Sequence, residues 1–378
     1  MFRLISVSCV GIVLCQCCNL QVKSTMTEKV KSLKWSDLPK ELWPVIGKRL
    51  ESAVDILRFR SVCKPWRSAI PPSNSRISFP GFPRKVTTPF GKRLLSQATI
   101  FRLEFYDCTE SPTVYSKGWL IAVNEFGSGQ LRLLNPFTNR PLDFQISPKV
   151  LDLMNFRIIE LTKAYHLDYH YRYHKNIKTI LFPNSASKKT MMFAVYKEGK
   201  LGFSTTGDEK WTLLDDKNFY YDDIIVYKEQ LYVVDKGGTI SWVDPNSLKL
   251  VQFSPPLCGV GKKKQLVVSC GSLYVVDFHD DGEPINMKVY RLDEEWGTWE
   301  DVKHLGNRLF VLGKDCNFSL SARDFYDCEE NCIYFCDEDR ACVFSLATSK
   351  FKSAKVFWPS PTLFHSKYFS SAQDDVLL

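Results

Sequence analysis

The chain contains 378 residues, of which 44% are apolar and 24% are charged. This balance is typical of globular proteins and excludes an intrinsically disordered chain, a collagen and a low-complexity fibre. The net charge of +8 is segregated, because residues 1–75 carry +7, residues 76–200 carry +10 and residues 201–378 carry −9. No base-reading motif accompanies the basic residues, so the sequence favours a polarised protein-recognition surface and no nucleic-acid partner.

The first thirty residues form an apolar extension that allows two interpretations. Residues 4–15 follow Arg3 and resemble the apolar region of a signal peptide, but they are too short to span a membrane. Alternatively, they lie upstream of a translation start at Met26. The 13 cysteines lack the spacing of a secreted disulfide framework. We therefore expect the protein to be located in the nucleus and/or cytoplasm. The N-terminal segment leaves secretion or organelle import open.

A small helical module is predicted after this extension. Ser36 or Asp37 can cap its first helix, and a second short helix is predicted over residues 52–59. A third lies within residues 61–70 and is closed by two prolines. The first helix carries one apolar stripe with members at steps of four residues: Leu38, Leu42, Ile46 and Leu50. About forty residues bury too little apolar surface to be stable alone, so this stripe should dock elsewhere.

Three motifs of this module resemble a plant F-box. They are a Leu-Pro-x-Glu-Leu run at residues 38–42, residues 57–64 and the Trp-Arg-Ser run at residues 66–68. The resemblance implies docking onto the Skp-type adaptor of a cullin ubiquitin ligase, and the alternative is a helical cap on the following domain. By motif position, the residues that supply the contact or its support are Leu38, Pro39, Leu42, Ile46, Leu50, Leu57, Val62, Cys63 and Trp66.

The rest of the chain is predicted to be mainly β and to repeat. Residues 229–235 match residues 270–277 at an offset of 42, and residues 331–337 match again. Repeats of roughly 40–50 residues with several strands each indicate a kelch-like β-propeller, here of about six blades. A β-sandwich is the structural alternative.

This β region also resembles the plant KIB-type β-propeller, a former domain of unknown function that often follows an F-box. The matching stretches are residues 117–120, 134–138, 331–337 and 357–364. The resemblance implies a substrate-receptor role in ubiquitination, without naming a substrate. The expected domains are an N-terminal extension (1–30), the F-box (33–74), the propeller (79–365) and a C-terminal tail (366–378).

The sequence does not match the motifs of the enzyme classes considered. Residues 259–264 lack the glycine and the hydroxyl residue of a phosphate-binding loop, and nucleophile-elbow, zincin and dinucleotide motifs are absent from the sequence. Four cysteines near the C-terminus are not spaced as zinc ligands, and we expect Cys332 and Cys336 to be structural. We therefore predict a non-catalytic protein with no cofactor and no metal.

A segment rich in tyrosine and histidine is the candidate for target recognition. Residues 165–175 include His166, His170 and His174 at steps of four, which would also suit a metal on one helix face. Four tyrosines favour a strand or a binding loop instead. Together with a basic turn between two blades, the candidate target-binding residues are His166, Tyr169, His170, Tyr171, Arg172, Tyr173, Lys262, Lys263 and Lys264.

The two modules together predict an adaptor. The F-box would hold a Skp-type adaptor and, through it, a cullin, while the propeller would hold a target protein for ubiquitination. The alternative is a non-ligase β-propeller binding protein or hydrolase that the N-terminal segment targets to an organelle or to secretion, because propellers also host hydrolases.

Overall fold

The computed structural model is mainly β, with two short helices near the N-terminus. It describes the following residues: 39–50, 55–56, 59–60, 62–70, 85–105, 117–125, 131–137, 139, 156–167, 177–184, 189–217, 220–257, 261–279, 286–337 and 340–354. The predicted N-terminal extension and C-terminal tail lie outside these residues. No helix within the described ranges has the length and apolar character that crossing a membrane requires.

The helical module contains helix α1 (Leu42–Lys48) and helix α2 (Lys64–Ala69). They match the predicted first and third helices, and residues 55–56 and 59–60 of the predicted second helix are helical. Pro65 lies in the first turn of α2, where its missing N–H costs no hydrogen bond. The caps predicted at Ser36 and Asp37 lie outside the described residues.

One apolar cluster holds the helices of this module together. Its buried members are Trp43, Ile56, Phe59, Trp66 and Ile70. The Phe59 and Trp66 ring centroids lie 4.4 Å apart. Arg60 donates from Nη1 to the Arg67 carbonyl oxygen at 2.9 Å, and Arg67 Nε donates to the Arg60 carbonyl oxygen at 3.2 Å. The second helical segment is therefore bound to α2 by both apolar packing and hydrogen bonds.

The first part of the β region forms one nine-stranded sheet with hydrogen-bonded order β4-β3-β2-β5-β6-β7-β8-β9, with β1 paired to β2. Its strands are β1 (Lys85–Thr88), β2 (Gly91–Phe105), β3 (Gly118–Glu125), β4 (Leu131–Leu134), β5 (Phe156–Leu167), β6 (Lys178–Asn184), β7 (Lys189–Tyr196), β8 (Lys200–Thr205) and β9 (Thr212–Leu213).

Two four-stranded antiparallel sheets follow, each with its strands in chain order. The first contains β10 (Tyr221–Tyr227), β11 (Gln230–Asp235), β12 (Ile240–Val243) and β13 (Leu250–Gln252). The second contains β14 (Lys263–Ser269), β15 (Ser272–His279), β16 (Asn286–Asp293) and β17 (Thr298–Val302). The repeated stretches 229–235 and 270–277 both include the turn before and most of the second strand of their sheets, so they are structurally equivalent.

The last sheet has five strands in the order β19-β18-β20-β21-β22. They are β18 (Arg308–Leu312), β19 (Asn317–Ser321), β20 (Cys332–Asp337), β21 (Arg340–Ser345) and β22 (Lys350–Ser353). Strand β20 contains the third repeat but pairs in parallel with β18. Parallel neighbours need a crossover, and residues 322–331 supply it. The third repeat therefore differs in topology from the first two.

Apolar clusters join each sheet to the next around a ring. One lies between β7–β8 and β10–β12, a second between β10–β12 and β14–β16, and a third between β14–β16 and the last sheet. A fourth returns to the start, because Leu120 and Leu134 of the first sheet share a cluster with Leu309 and Phe318 of the last. This closed sequence of contacts is that of a β-propeller. The count of about six blades stays a prediction, since the described strands form four sheets.

The crossover of the last sheet takes part in this closure. Phe325 forms an isolated bridge with Gly118, and the Tyr326 N–H donates to the Gly118 carbonyl oxygen at 3.3 Å. The Trp119 and Tyr326 ring centroids lie 5.0 Å apart. A Cβ built on Gly118 would lie 2.8 Å from the Leu103 carbonyl oxygen, so a larger residue would disturb the strand at this contact.

Candidate interaction surfaces

The predicted adaptor-binding residues of the helical module divide into an exposed and a supporting group. Pro39, Leu42 and Cys63 are exposed, whereas Trp66 is buried in the module core. Ile46, Leu50 and Val62 are partly buried against the same core. Leu38 and Leu57 lie outside the described residues. Among the described members of the predicted apolar stripe, Ile46 and Leu50 therefore support the module and Leu42 reaches the surface.

The exposed apolar pair of α1 includes a residue that the sequence analysis missed. Leu42 is 44% exposed and Val45 is 48% exposed. Residues three apart are neighbours on a helix surface, so these side chains form one apolar patch. A search for spacings of three as well as four residues would have found Val45.

Basic side chains are also exposed on the described part of the module. Lys40, Arg49, Lys64 and Arg67 are exposed, and Glu41 is the exposed acidic residue among the described part of the module. An exposed apolar patch on a module with a predominantly basic surface is complementary to an acidic protein surface that has an apolar groove.

Buried charges form a second notable cluster, at the inner strands of the propeller. Strands β6, β10, β14 and β19 make contacts between neighbouring sheets. Asp223 of β10 is buried and accepts hydrogen bonds from the Leu266 N–H at 2.7 Å and from Asn317 Nδ2 at 2.8 Å. Its other oxygen lies 2.5 Å from Lys178 Nζ. One carboxylate of the β10 sheet is thus linked to each of the other three sheets.

Two neighbours of Asp223 have shifted proton affinities. Burial raises the pKa of Asp222 to about 6, although its carboxylate accepts a hydrogen bond from the Lys264 N–H at 2.9 Å. Burial lowers the pKa of the Lys263 ammonium, while Asp223 acts in the opposite direction. Sequence analysis missed this cluster because its members are far apart in the chain.

The predicted basic turn at residues 262–264 is corrected by the structure. Lys262 is exposed and Lys263 is partly buried, but the exposed fraction of Lys264 is 0%. Lys264 Nζ donates to the Gly261 carbonyl oxygen at 3.0 Å and lies 3.2 Å from Asp277 Oδ1. Lys264 stands directly opposite Asp277 in the β14–β15 ladder. Its interpretation as a target-binding residue of a solvated turn is therefore wrong, because it is sealed in an internal ion pair.

The first histidine of the tyrosine-rich segment contributes to ring closure. His166 Nδ1 lies 3.2 Å from Asp315 Oδ1, and Asn139 Nδ2 donates to Asp315 Oδ2 at 2.6 Å. Asp315 precedes β19, so these contacts connect the first and last sheets. The other predicted residues of this segment, Tyr169, His170, Tyr171, Arg172 and Tyr173, lie outside the described residues.

Cys328, Cys332 and Cys342 pack in the propeller core, whereas Cys336 is partly buried and belongs to none of the described apolar clusters. Cys332 and Tyr334 belong to the same apolar cluster, which confirms that they share one face of their strand. Burial raises the pKa of Cys328 and of Cys332 to about 11, so both are neutral thiols at physiological pH. Within the described ranges, no three His, Cys, Asp or Glu side chains are arranged to hold a metal ion.

Comparison with known proteins gives concordant matches. The KIB1-4 beta-propeller family model matches residues 94–345. The chain is 32% identical over 336 residues to F-box protein At4g35733 of Arabidopsis thaliana, covering 82% of this chain and 91% of that protein. It is 30% identical over 391 residues to F-box protein SKIP23 of Arabidopsis thaliana, covering 86% of this chain and 94% of that protein.

A solved structure of ctPRC2 in complex with H3K27me3 and H3K27M covers 73% of this chain and 56% of that chain at 15% identity, and its TM-score of 0.27 is too low to support an argument. The family model and the Arabidopsis relatives identify the family, because the model matches residues 94–345 and the two relatives are aligned over 82% and 86% of the chain. The chain belongs to the plant F-box proteins with a KIB1-4 β-propeller.

Proposed function

We propose that this protein is the substrate-receptor subunit of a Skp-cullin-F-box ubiquitin ligase. The observation that carries the proposal is the exposed Leu42–Val45 patch on α1 of a chain that belongs to the F-box proteins. The patch docks in an apolar groove of a Skp-type adaptor, and the adaptor connects the receptor to the cullin.

Leu42 and Val45 lie outside the apolar core of the module. Trp43, Phe59 and Trp66 fill the interior, so Leu42 and Val45 add little to the folding of the module. Removing such a patch from water on binding contributes about 25 cal/mol per Å² of apolar area. The exposed basic residues of the module add complementarity to an acidic partner and speed association.

The propeller holds the target protein, and the chain itself performs no bond chemistry. It acts by proximity, because a bound target lysine has a high effective concentration near a charged ubiquitin-conjugating enzyme. This role places the protein in the nucleus and/or cytoplasm, where the ligase acts. His166 fits a structural role because its Asp315 contact connects two sheets, so target contacts are assigned to exposed loops and turns.

The decisive experiment is a binding assay between the full-length chain and a Skp-type adaptor. The Leu42→Asp, Val45→Asp double variant should weaken binding at least about tenfold, because it places two charges in an apolar contact. Acidic residues in the first turn of a helix are compatible with folding. Leu94→Asp is the matched control, since Leu94 is 49% exposed on β2 of the propeller. Equal adaptor binding by the wild type and the double variant would refute the proposal.

A further inference from the structure

The most exposed large apolar side chain among the described residues is Trp296, at 74%. It lies in the turn between β16 and β17 and is flanked by acidic residues. Scattered apolar side chains on a surface need no explanation, but a tryptophan this exposed offers more contact area than any other residue type. Tryptophan is also enriched among the residues that dominate protein–protein binding energy.

The backbone that carries Trp296 is held in place. Asp293 Oδ1 accepts hydrogen bonds from the Glu295 N–H at 3.0 Å and from the Trp296 N–H at 3.2 Å. Gly297 has a φ of 61°, in the left-handed region that suits glycine. Because the turn is ordered before any partner arrives, binding through it does not require ordering of the loop.

A neighbouring sheet fixes the same turn from the side. Lys228 Nζ donates to Glu294 Oε2 at 2.7 Å, and the Tyr227 hydroxyl contacts the other Glu294 oxygen. The Tyr227 hydroxyl also lies 2.7 Å from the Gly271 carbonyl oxygen. The β10–β11, β14–β15 and β16–β17 turns therefore meet at one end of the propeller.

The β10–β11 and β16–β17 connections carry a negative net charge. Glu229, Asp293, Glu294 and Glu295 lie in the β10–β11 and β16–β17 turns, with Lys228 as the basic residue between them. Lys228 neutralises Glu294. Among the described residues, the exposed Glu295 carboxylate has no hydrogen-bond or ion-pair partner. We call Glu229, Asp293, Glu294, Glu295 and Trp296 the acidic tip.

We propose that the acidic tip binds a segment of a partner protein that is rich in arginine and lysine. A guanidinium or ammonium group packs on the exposed Trp296 ring as a cation–π contact, and the Glu295 and Glu229 carboxylates pair with neighbouring basic side chains. An acidic segment is repelled by the same carboxylates. That the bound segment belongs to a ubiquitination target rests on the proposed function; the binding itself does not.

The opposite end of the same sheets provides a matched comparison. Tyr220 is 58% exposed and precedes β10, at the end of the β10–β11 pair away from the connecting turn. The Lys236 ammonium lies 5.3 Å from the centroid of its ring. This aromatic ring already has a cation beside it, so a basic segment should not bind there.

The test measures fluorescence anisotropy of two labelled peptides, one alternating arginine with glycine and one alternating glutamate with glycine. Full-length wild-type chain should bind the basic peptide and not the acidic one. Trp296→Ala should weaken that binding about tenfold, and Glu295→Lys should weaken it as well. Tyr220→Ala should leave the affinity unchanged within about twofold, as expected for a residue outside the binding surface.

Two outcomes would overturn the inference: no binding of the basic peptide by the wild type, or the same affinity for wild type and Trp296→Ala. Thermal unfolding of each variant verifies that the fold is retained. The adaptor-binding assay on Trp296→Ala separates the two proposals. Adaptor binding should be unaffected by Trp296→Ala, because Trp296 lies in the propeller. If the wild-type chain binds the basic peptide but fails to bind the adaptor, only the ligase role is refuted.

Discussion

The helical module and the propeller are stabilised in different ways. The described part of the module has one core of five buried apolar side chains, and none of its buried residues is charged. The described part of the propeller has six apolar clusters and also buries Glu104, Asp223, Lys264, Asp277 and Asp315. The module should therefore depend on individual large side chains. The propeller should tolerate the loss of an apolar group more readily than the loss of one partner from a buried ion pair.

Removing the central aromatic residue of the module should have the largest effect. Trp66→Ala should lower the free energy of unfolding of the module by about 3–5 kcal/mol, because the transfer free energy of the buried side chain is lost and a cavity is left. A module of this size has little stability in reserve. We expect amide protection to be lost across residues 39–70 and retained in the propeller. Hydrogen exchange measures both regions in one sample, with Trp296→Ala as the exposed control, and retained protection in 39–70 would contradict the comparison.

Breaking the inner ion pair of the propeller should have the next largest effect. Asp223→Ala leaves Lys178, the Leu266 N–H and the Asn317 amide without their acceptor. We expect the free energy of unfolding, measured in urea, to fall by about 3 kcal/mol.

Asp301→Ala is the control for this change, because Asp301 pairs with Lys303 at the surface. Asp301→Ala should lower the free energy of unfolding by less than about 1 kcal/mol. Similar costs for the two variants would show that the buried pair is no more important than an exposed one.

The smallest expected effect is a change in pH dependence. Burial raises the pKa of Asp222 from 3.8 to about 6, so the folded protein binds this proton more tightly than the unfolded chain. Stability from this group is therefore present below about pH 4 and is lost as the pH rises through about 6. One pKa unit corresponds to about 1.4 kcal/mol, and solvent screening of this partly exposed carboxyl group reduces the full effect, so Asp222→Asn should flatten this part of the stability curve by about 1–2 kcal/mol. Asp216→Asn, at an exposed carboxylate, should leave the curve unchanged, and identical curves for the two variants would contradict the prediction.

Local patterns predicted much of the fold. The repeat between residues 229–235 and 270–277 corresponds to equivalent strands because strand and turn propensities act over a few residues. Helices α1 and α2 were also predicted, since helix periodicity is local. The predicted apolar stripe is divided in the structure, because Leu42 is exposed whereas Ile46 and Leu50 pack on the module core. The position of Pro65 in the first turn of α2 follows from its fixed φ in the same way.

Features that depend on pairing between distant segments could not be predicted. The burial of Lys264 follows from its place opposite Asp277, which only the strand register determines. The Lys178–Asp223 pair joins strands of different sheets, and the Asp315 contacts of His166 and Asn139 join the first sheet to the last. The solvent exposure of Trp296 depends on the turn that holds it, although tryptophan is usually well buried.

Closure of the ring by the last sheet has a consequence during synthesis. Leu134 shares its apolar cluster with Leu309, which emerges from the ribosome 175 residues later. At 5–20 residues per second, the apolar face of the first sheet waits roughly 10–35 s for its partner. The nascent chain therefore carries an unfinished hydrophobic surface for about half of translation, and it should require chaperone protection until residues 309–334 have been made.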